Sequence, residues 1–172
     1  YKDIFKLEPG TFIQLNSTDL FKKISFKKKY WSLSRLIKSN QQNQFNSEEE
    51  AFSALETTLL KSVKSQMVSD VPLGIFLSGG IDSSLIASLA QDCTNEPIKT
   101  FTIGFDNSSF DESPFAQRVA EHLKTTHSKI NVTEDDALNL IPKLAFIYDE
   151  PFSDSSQIPT YLVSKIAKKR VT

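Results

Sequence analysis

Seven consecutive residues, Ser78-Gly79-Gly80-Ile81-Asp82-Ser83-Ser84, hold the types and spacing best suited to chemistry in this chain. They stand between an apolar run, Leu73-Gly74-Ile75-Phe76-Leu77, and a helical pattern, Leu85-Ile86-Ala87-Ser88-Leu89-Ala90. A strand, a turn of small residues and a helix start together make an anion pocket. Adjacent glycines allow positive φ angles that turn backbone N–H groups inward, while the helix aims the positive end of its dipole at the same point. Phosphate or pyrophosphate fits such a turn. Ser78, Ser83 and Ser84 add hydroxyl donors, and Asp82 makes sense beside an anion if a divalent cation bridges it to the phosphates. The expected ligand is therefore a magnesium nucleotide, with Asp82 as the metal-side residue. A plainer reading is a tight strand-to-helix turn in which Asp82 and the serines serve as N-caps. Two other phosphate loops are excluded: no Lys occurs from Val68 to Ile98, and no glycine follows Gly80 until Gly104.

A second stretch, Asp149 to Pro159, places Asp149, Glu150 and Asp154 with Ser153, Ser155, Ser156 and Gln157 in a proline-bounded loop. Clustered carboxylates repel unless solvated or neutralised by a cation or a cationic substrate group. The same residue types also cap helices, so a polar capping loop is the alternative. Other reactive side chains are isolated. His122 and His127 have no Cys or further His at ligand spacing, and Cys93 has no adjacent cation to lower its pKa.

These stretches need a scaffold that holds them together. Pro9-Gly10 separates Ile4 to Leu7 from Thr11 to Leu15, as in a β-hairpin. Lys22-Lys23 and Lys27-Lys28-Lys29, interleaved with Phe21, Ile24 and Phe26, read as a strand with a solvated face rather than a phosphate-binding patch, because the apolar residues between them need a core. From Trp31 to Ser47 the pattern dissolves into Ser39-Asn40-Gln41-Gln42-Asn43-Gln44, a linker or mobile loop. Ser47 and Glu50 form a capping-box start for a helix to about Val68, with Phe52, Leu55, Leu59, Val63 and Met67 on one face. Ile98 to Phe105 and His127 to Val132 read as strands. Ser113-Pro114 opens a helix that should bury Phe115, Val119 and Leu123. Thr133 with Asp136 caps another, bearing Ala137, Leu140, Ile141, Leu144 and Ala145 and kinked by Pro142. Alternating strands and helices of this length predict an α/β fold, a parallel sheet with helices on both faces. Ligands bind beyond the carboxyl ends of such strands, where Leu77 to Ser83 and Ile103-Gly104 should converge. Ile103 serves equally well as strand core.

Charge and cysteine usage bound the remaining possibilities. With 20 basic against 21 acidic residues, net charge gives no case for nucleic acid or an anionic membrane. A single cysteine forms no internal disulfide, which fits a reducing, cytoplasmic compartment. No apolar stretch reaches the ~20 residues that span a bilayer. The first residues lack a signal-peptide pattern, although a chain beginning at Tyr1 is expected to have lost its natural start.

With the flanks in view, SGGIDSS resembles the PP-loop of the ATP pyrophosphatases, enzymes that cleave ATP to AMP and pyrophosphate. Val71-Pro72-Leu73-Gly74 leading into Phe76-Leu77-Ser78-Gly79-Gly80 is similar to the glutamine-hydrolysing asparagine synthetases, as is Asp149-Glu150-Pro151-Phe152 running to Ser155-Ser156-Gln157-Ile158-Pro159-Thr160-Tyr161-Leu162. Tyr1 to Gly10 resembles the closing strands of that family's glutaminase domain, and Tyr30-Trp31 the join between domains. The resemblance implies a truncated fold of the adenine nucleotide alpha hydrolase type behind an N-terminal β-hairpin remnant. The domains would be residues 1–30, the end of a glutaminase-like domain; 31–47, the linker; and 48–172, an incomplete synthetase domain. It implies ATP and Mg2+ as cofactors, with Leu77, Ser78, Gly79, Gly80, Asp82, Ser83, Ser84 and Ile103 at the nucleotide. Asp149, Glu150, Ser155, Ser156 and Gln157 would border the substrate. Aspartate would be activated as β-aspartyl-AMP and amidated by ammonia from glutamine, released by the glutaminase domain of the same parent chain. Because the chain stops before the family's second glycine-rich motif, residues 1–172 alone are expected to be inactive. Two alternatives accompany this reading: a related amidotransferase acting on another carboxylate, such as one on a surface sugar, and a catalytically inert nucleotide-binding domain.

Overall fold

A computed structural model of the chain describes residues 2–15, 27–41, 43–106, 111–151 and 153–171. The chain forms two compact units, residues 1–52 and 53–172. In the first, β1 (Thr11–Ile13) pairs antiparallel with β2 (Lys27–Lys29), Thr11 opposite Lys29. Pro9-Gly10 is a turn, and Gly10 takes a φ of 67° that favours glycine. Its carbonyl accepts the Tyr30 and Trp31 amides at 2.9 and 3.2 Å. The expected hairpin partner, Ile4 to Leu7, is not a strand: β1 takes its partner from β2 instead, and Ile4 and Phe5 are left exposed. The face of β2 is solvated, with Lys27 paired to Glu8 at 2.7 Å. The rest of that basic cluster, Phe21 to Phe26, lies outside the described residues.

The segment read as a linker or mobile loop contains a helix, α1 (Leu33–Asn40). Leu33, Leu36 and Ile37 recur at helical spacing there, a signal masked by the polar run that follows. Next, α2 (Glu48–Gln66) starts at Ser47, whose Oγ accepts the Glu50 amide at 3.2 Å. The capping box is only half formed, because the Glu50 carboxylate accepts from the Asn46 amide at 2.8 Å.

The second unit is an α/β layer structure. Its sheet is parallel in the order β3 (Gly74–Phe76), β4 (Lys99–Phe105), β5 (Thr126–Val132). Between these strands run α3 (Ile81–Asp92) and α4 (Ser113–Leu123), followed by α5 (Glu134–Leu140), α6 (Leu144–Ile147) and α7 (Gln157–Ala167). Pro142 does more than kink the predicted helix: Ile141–Lys143 forms a 3-10 turn separating α5 from α6, as a missing N–H and ring clash require. Ile75 pairs in register with Thr100, and Phe76 with Phe101. Alternation then sends Ile75 toward Ala87 of α3 and Ala116 and Ala120 of α4, while Phe101 meets Val163 and Ala167 of α7 on the other face.

Two predicted helix faces are corrected by this packing. On α4 the fully buried stripe is Ser113, Ala116 and Ala120; of the expected face Val119 and Leu123 do pack, partly buried, against this core, whereas Phe115 is 54% exposed and stacks with Arg118 at 4.8 Å. Only small side chains fit there, because the glycine turn after β3 comes within contact of Ala116. On α2, Leu59, Val63 and Met67 pack with Leu89 and Ala90, while Phe52 and Leu55 remain exposed.

Candidate functional site

The turn after β3 is built from the strand outward. Leu77 extends β3 by donating its amide to the Phe101 carbonyl at 2.8 Å, and its side chain is buried among Ala87, Ala116 and Ala120. Only one of the two glycines adopts a positive φ. Gly79 sits at 82°, and a Cβ there would lie 2.5 Å from the Ala116 amide nitrogen. Gly80, expected to be left-handed as well, is extended at φ −72° and serves as N-cap of α3. A Cβ at Gly80 would meet only the Ser78 hydroxyl, at 3.3 Å, so the fold leaves open space above it.

Ser78 and Ser83 knit this turn together. The Ser83 Oγ accepts the Ser78 amide at 3.1 Å, the two hydroxyls bond at 2.8 Å, and the Ser78 Oγ accepts the Gly80 amide at 3.3 Å. The Ser83 hydroxyl also reaches the Gly80 carbonyl at 3.3 Å. Since the Ser84 amide makes the first helical bond, to the Gly80 carbonyl, the N–H groups of Ile81, Asp82 and Ser83 have no acceptor within α3. Orphan donors at a helix start are of the kind that can meet an anion. The Ser84 hydroxyl is buried without a hydrogen-bond partner. The Asp82 side chain is exposed and makes no hydrogen bond or ion pair among the described residues.

A cleft of about 970 Å³ opens beside the turn, over the carboxyl ends of the strands. Leu77, Ser78, Ser83 and Ile103 line it, together with Ser155 and Ser156. Phe76, Phe101, Phe105 and Val132 add apolar lining. Gly79, Gly80, Asp82, Ser84, Asp149, Glu150 and Gln157 are not among its lining residues. Asp149 and Glu150 stand on the exposed loop before α7. Gln157 is the first residue of α7, where its carbonyl accepts the Tyr148 hydroxyl at 3.0 Å and its amide meets the Asp154 carbonyl at 3.3 Å.

Asp154 organises this loop. Hydrogen bonds from Ser156 hold its carboxyl below the ordinary range, the Ser156 amide donating at 2.8 Å. Three further carboxylates line the cleft, Asp106, Glu112 and Glu134, which sequence reading missed. Each sits at the end of a strand or the start of a helix, so the rule placing ligands at strand carboxyl ends could have flagged them. Among the described residues no group of three or more His, Cys, Asp or Glu is arranged to hold a metal ion.

The asparagine synthase family model matches residues 54–172, which include the glycine turn, the sheet and the Asp149 to Gln157 loop. The chain belongs to the asparagine synthase family. Over 115 residues it is 45% identical to a putative asparagine synthetase [glutamine-hydrolyzing] 2 of Methanocaldococcus jannaschii, a match covering 66% of this chain and 22% of that protein. Over 125 residues it is 38% identical to asparagine synthetase [glutamine-hydrolyzing] 1 of Bacillus subtilis, covering 73% of this chain and 20% of the relative. The chain thus spans about a fifth of the length of these curated relatives. Among solved structures it is similar to an NMN synthetase from Francisella tularensis, with a TM-score of 0.49, 19% identity, and coverage of 68% of this chain and 50% of that one.

Proposed function

We propose that the second unit is the nucleotide-binding portion of an asparagine synthetase, a ligase that makes asparagine from aspartate at the expense of ATP. The observation that carries this reading is the set of orphan N–H groups at Ile81, Asp82 and Ser83, beside a cleft that Ser78, Ser83, Ile103, Ser155 and Ser156 share. In this proposal the pyrophosphate of ATP lies on residues 78 to 84, held by those amides and the α3 dipole. Leu77 and Ile103 meet the adenosine, Leu77 through its backbone because its side chain is committed to the core. Family membership and the names of the relatives support ATP use.

The exposed, unpartnered Asp82 carboxylate fits a role beside Mg2+. Among the described residues no group of three or more carboxylates is arranged to hold an ion, so Asp82 would hold it as a single carboxylate. Its chemistry would be neutralisation of charge on the departing pyrophosphate. The aspartate side-chain carboxylate attacks the α-phosphorus, forming a P–O bond as the bond to the β-phosphate oxygen breaks. Ammonia then attacks the acyl carbon of β-aspartyl-AMP, a C–N bond replaces the C–O bond to AMP, and a proton leaves to solvent. The helix-start amides contribute by meeting charge that builds on the pyrophosphate. Asp149, Glu150, Ser155, Ser156 and Gln157 belong to the acceptor side in this reading, with Asp154 setting their loop. Glutamine supplies the ammonia through a glutaminase domain of the parent chain, of which residues 1–30 are the end, joined by residues 31–47. No helix among the described residues is long and apolar enough to cross a membrane, and the lone Cys93 suits the proposed cytoplasmic location.

Pyrophosphate release by the intact protein with ATP and Mg2+ tests the assignment. Aspartate should stimulate release and yield AMP, whereas glutamate and carboxylated sugars should not. Stimulation by another carboxylate alone overturns the acceptor in favour of a different amidotransferase. ATP binding without release under any acceptor would mark a catalytically inert nucleotide-binding domain.

A further inference from the structure

We propose that the opposite end of the sheet carries a second anion site, suited to a phosphate group, which shares the Phe101 ring with the nucleotide cleft but none of its polar groups. A cavity of about 330 Å³ opens there, lined by Lys99, Phe101, Thr126, Ser128 and Arg170. Lys99 and Thr126 are the first residues of β4 and β5, so this cavity faces away from the strand carboxyl ends that form the cleft. Its polar lining consists of two cations and two hydroxyls, with no carboxylate.

The donors are only partly used. The Lys99 ammonium donates to the Arg170 carbonyl at 2.9 Å, and Nη1 of Arg170 donates to the Ser128 Oγ at 2.9 Å. Those bonds engage one of three ammonium protons and one of five guanidinium protons. Accepting that bond, the Ser128 hydroxyl retains its own proton to give. The Thr126 hydroxyl has no partner among the described residues. Neither Lys99 nor Arg170 is in an ion pair with a described carboxylate.

Two cations without an ion-pair partner among the described residues, brought to one cavity, repel each other, and Lys168 and Lys169 just before Arg170 add to the local positive potential. A bound anion relieves that repulsion. Phe101, almost fully buried, forms the apolar wall that excludes water on one side and strengthens charge attraction within the cavity. Four donor groups on two strands and the turn after α7 suit the several oxygens of a phosphate better than one planar carboxylate. This site does not depend on the proposed synthetase activity.

Titration of the intact, isotope-labelled protein with inorganic phosphate at constant ionic strength, followed by amide resonances, provides the test. Saturable shifts are expected at Lys99, Thr126, Ser128 and Arg170 whether or not residues 78 to 84 also respond. Lys99→Gln and Arg170→Gln should each weaken that binding roughly tenfold, as loss of a charge-assisted bond implies. Thr126→Val removes a hydroxyl the fold does not use, and should weaken binding about three- to tenfold while leaving the melting transition in place. Absence of saturable shifts at the four positions would overturn the proposal. Unchanged affinity in the folded Thr126→Val and Lys99→Gln proteins would do the same.

Discussion

Gly79 and Gly80 are adjacent and chemically identical, yet the fold asks different things of them. At Gly79 a methyl group would collide with the start of α4 and would also be held at a positive φ. Gly79→Ala should therefore cost about 1–3 kcal/mol of stability, read as a lower urea midpoint. Gly80→Ala meets only the movable Ser78 hydroxyl, so stability should stay within about 0.5 kcal/mol of the parent. A side chain at Gly80 would project where the proposed pyrophosphate lies, so calorimetry should show ATP affinity falling in that variant although its melt does not. Equal ATP affinity in Gly80→Ala and the parent would remove pyrophosphate from the turn. Asp82 tests a different property. Because no internal bond is lost, Asp82→Asn should leave the melt unchanged but weaken ATP binding in Mg2+ more than in EDTA. An equal loss in both buffers would make the carboxylate a direct contributor unrelated to the ion.

Helix starts carry much of the site. The Thr133 Oγ accepts the Asp136 amide at 3.1 Å, and Asp136 accepts the Thr133 amide at 3.0 Å, a complete capping box on α5. That box holds Thr133, Glu134 and Ala137 against the cleft. Thr133→Ala should cost about 1 kcal/mol in a denaturant melt. Amide exchange should quicken first along α5, and a slowed or unchanged exchange there would argue that packing of Leu140 alone holds the helix. At α4, Asp111 joins strand to helix by accepting the Phe105 amide at 3.3 Å and the Ser113 amide at 3.1 Å. Bonds from Ser113, then from Phe105, with Lys129 nearby, hold its carboxyl below the usual range. The stability this adds is present above the ordinary aspartate range and is lost as pH falls through the lowered value.

Across the second unit, His127 of β5 ties that strand to β4, the central one. Its Nδ1 bonds the Thr100 hydroxyl at 2.8 Å, which in turn meets Thr125 at 2.7 Å, while its Nε2 is buried without a partner. Burial pushes its pKa down, and Glu121 opposes that only in part. The folded state thus binds its proton less readily than the unfolded chain. The stability this supplies is full above the ordinary histidine value of about 6.5 and is lost as pH falls below it. Urea midpoints measured from about pH 7.5 down to about pH 5 should decline, and His127→Gln should flatten that part of the profile. A slope unaltered by the substitution would assign the pH response to other groups.

Local pattern alone determined the strand, glycine turn and helix at residues 73 to 90, the two following strands, the Thr133 cap and the parallel α/β class. Each of these rests on neighbours within a few residues, where periodicity, capping and backbone freedom act directly. Tertiary contact decided the rest. Which glycine must be a glycine depended on α4 arriving beside Gly79, and which stripe of α4 is buried depended on the same close approach. The partner of β1 came from Lys27–Lys29 rather than the adjacent Ile4 to Leu7, because strand pairing is set by register across space. Residues distant in the chain, Ser78 and Ser156 with Asp106, Glu112 and Glu134, meet at one cleft only because parallel strands end on the same side. The basic cavity of Lys99 and Arg170 carries no sequence signature, since its two cations are brought together by the packing of α7 on β4.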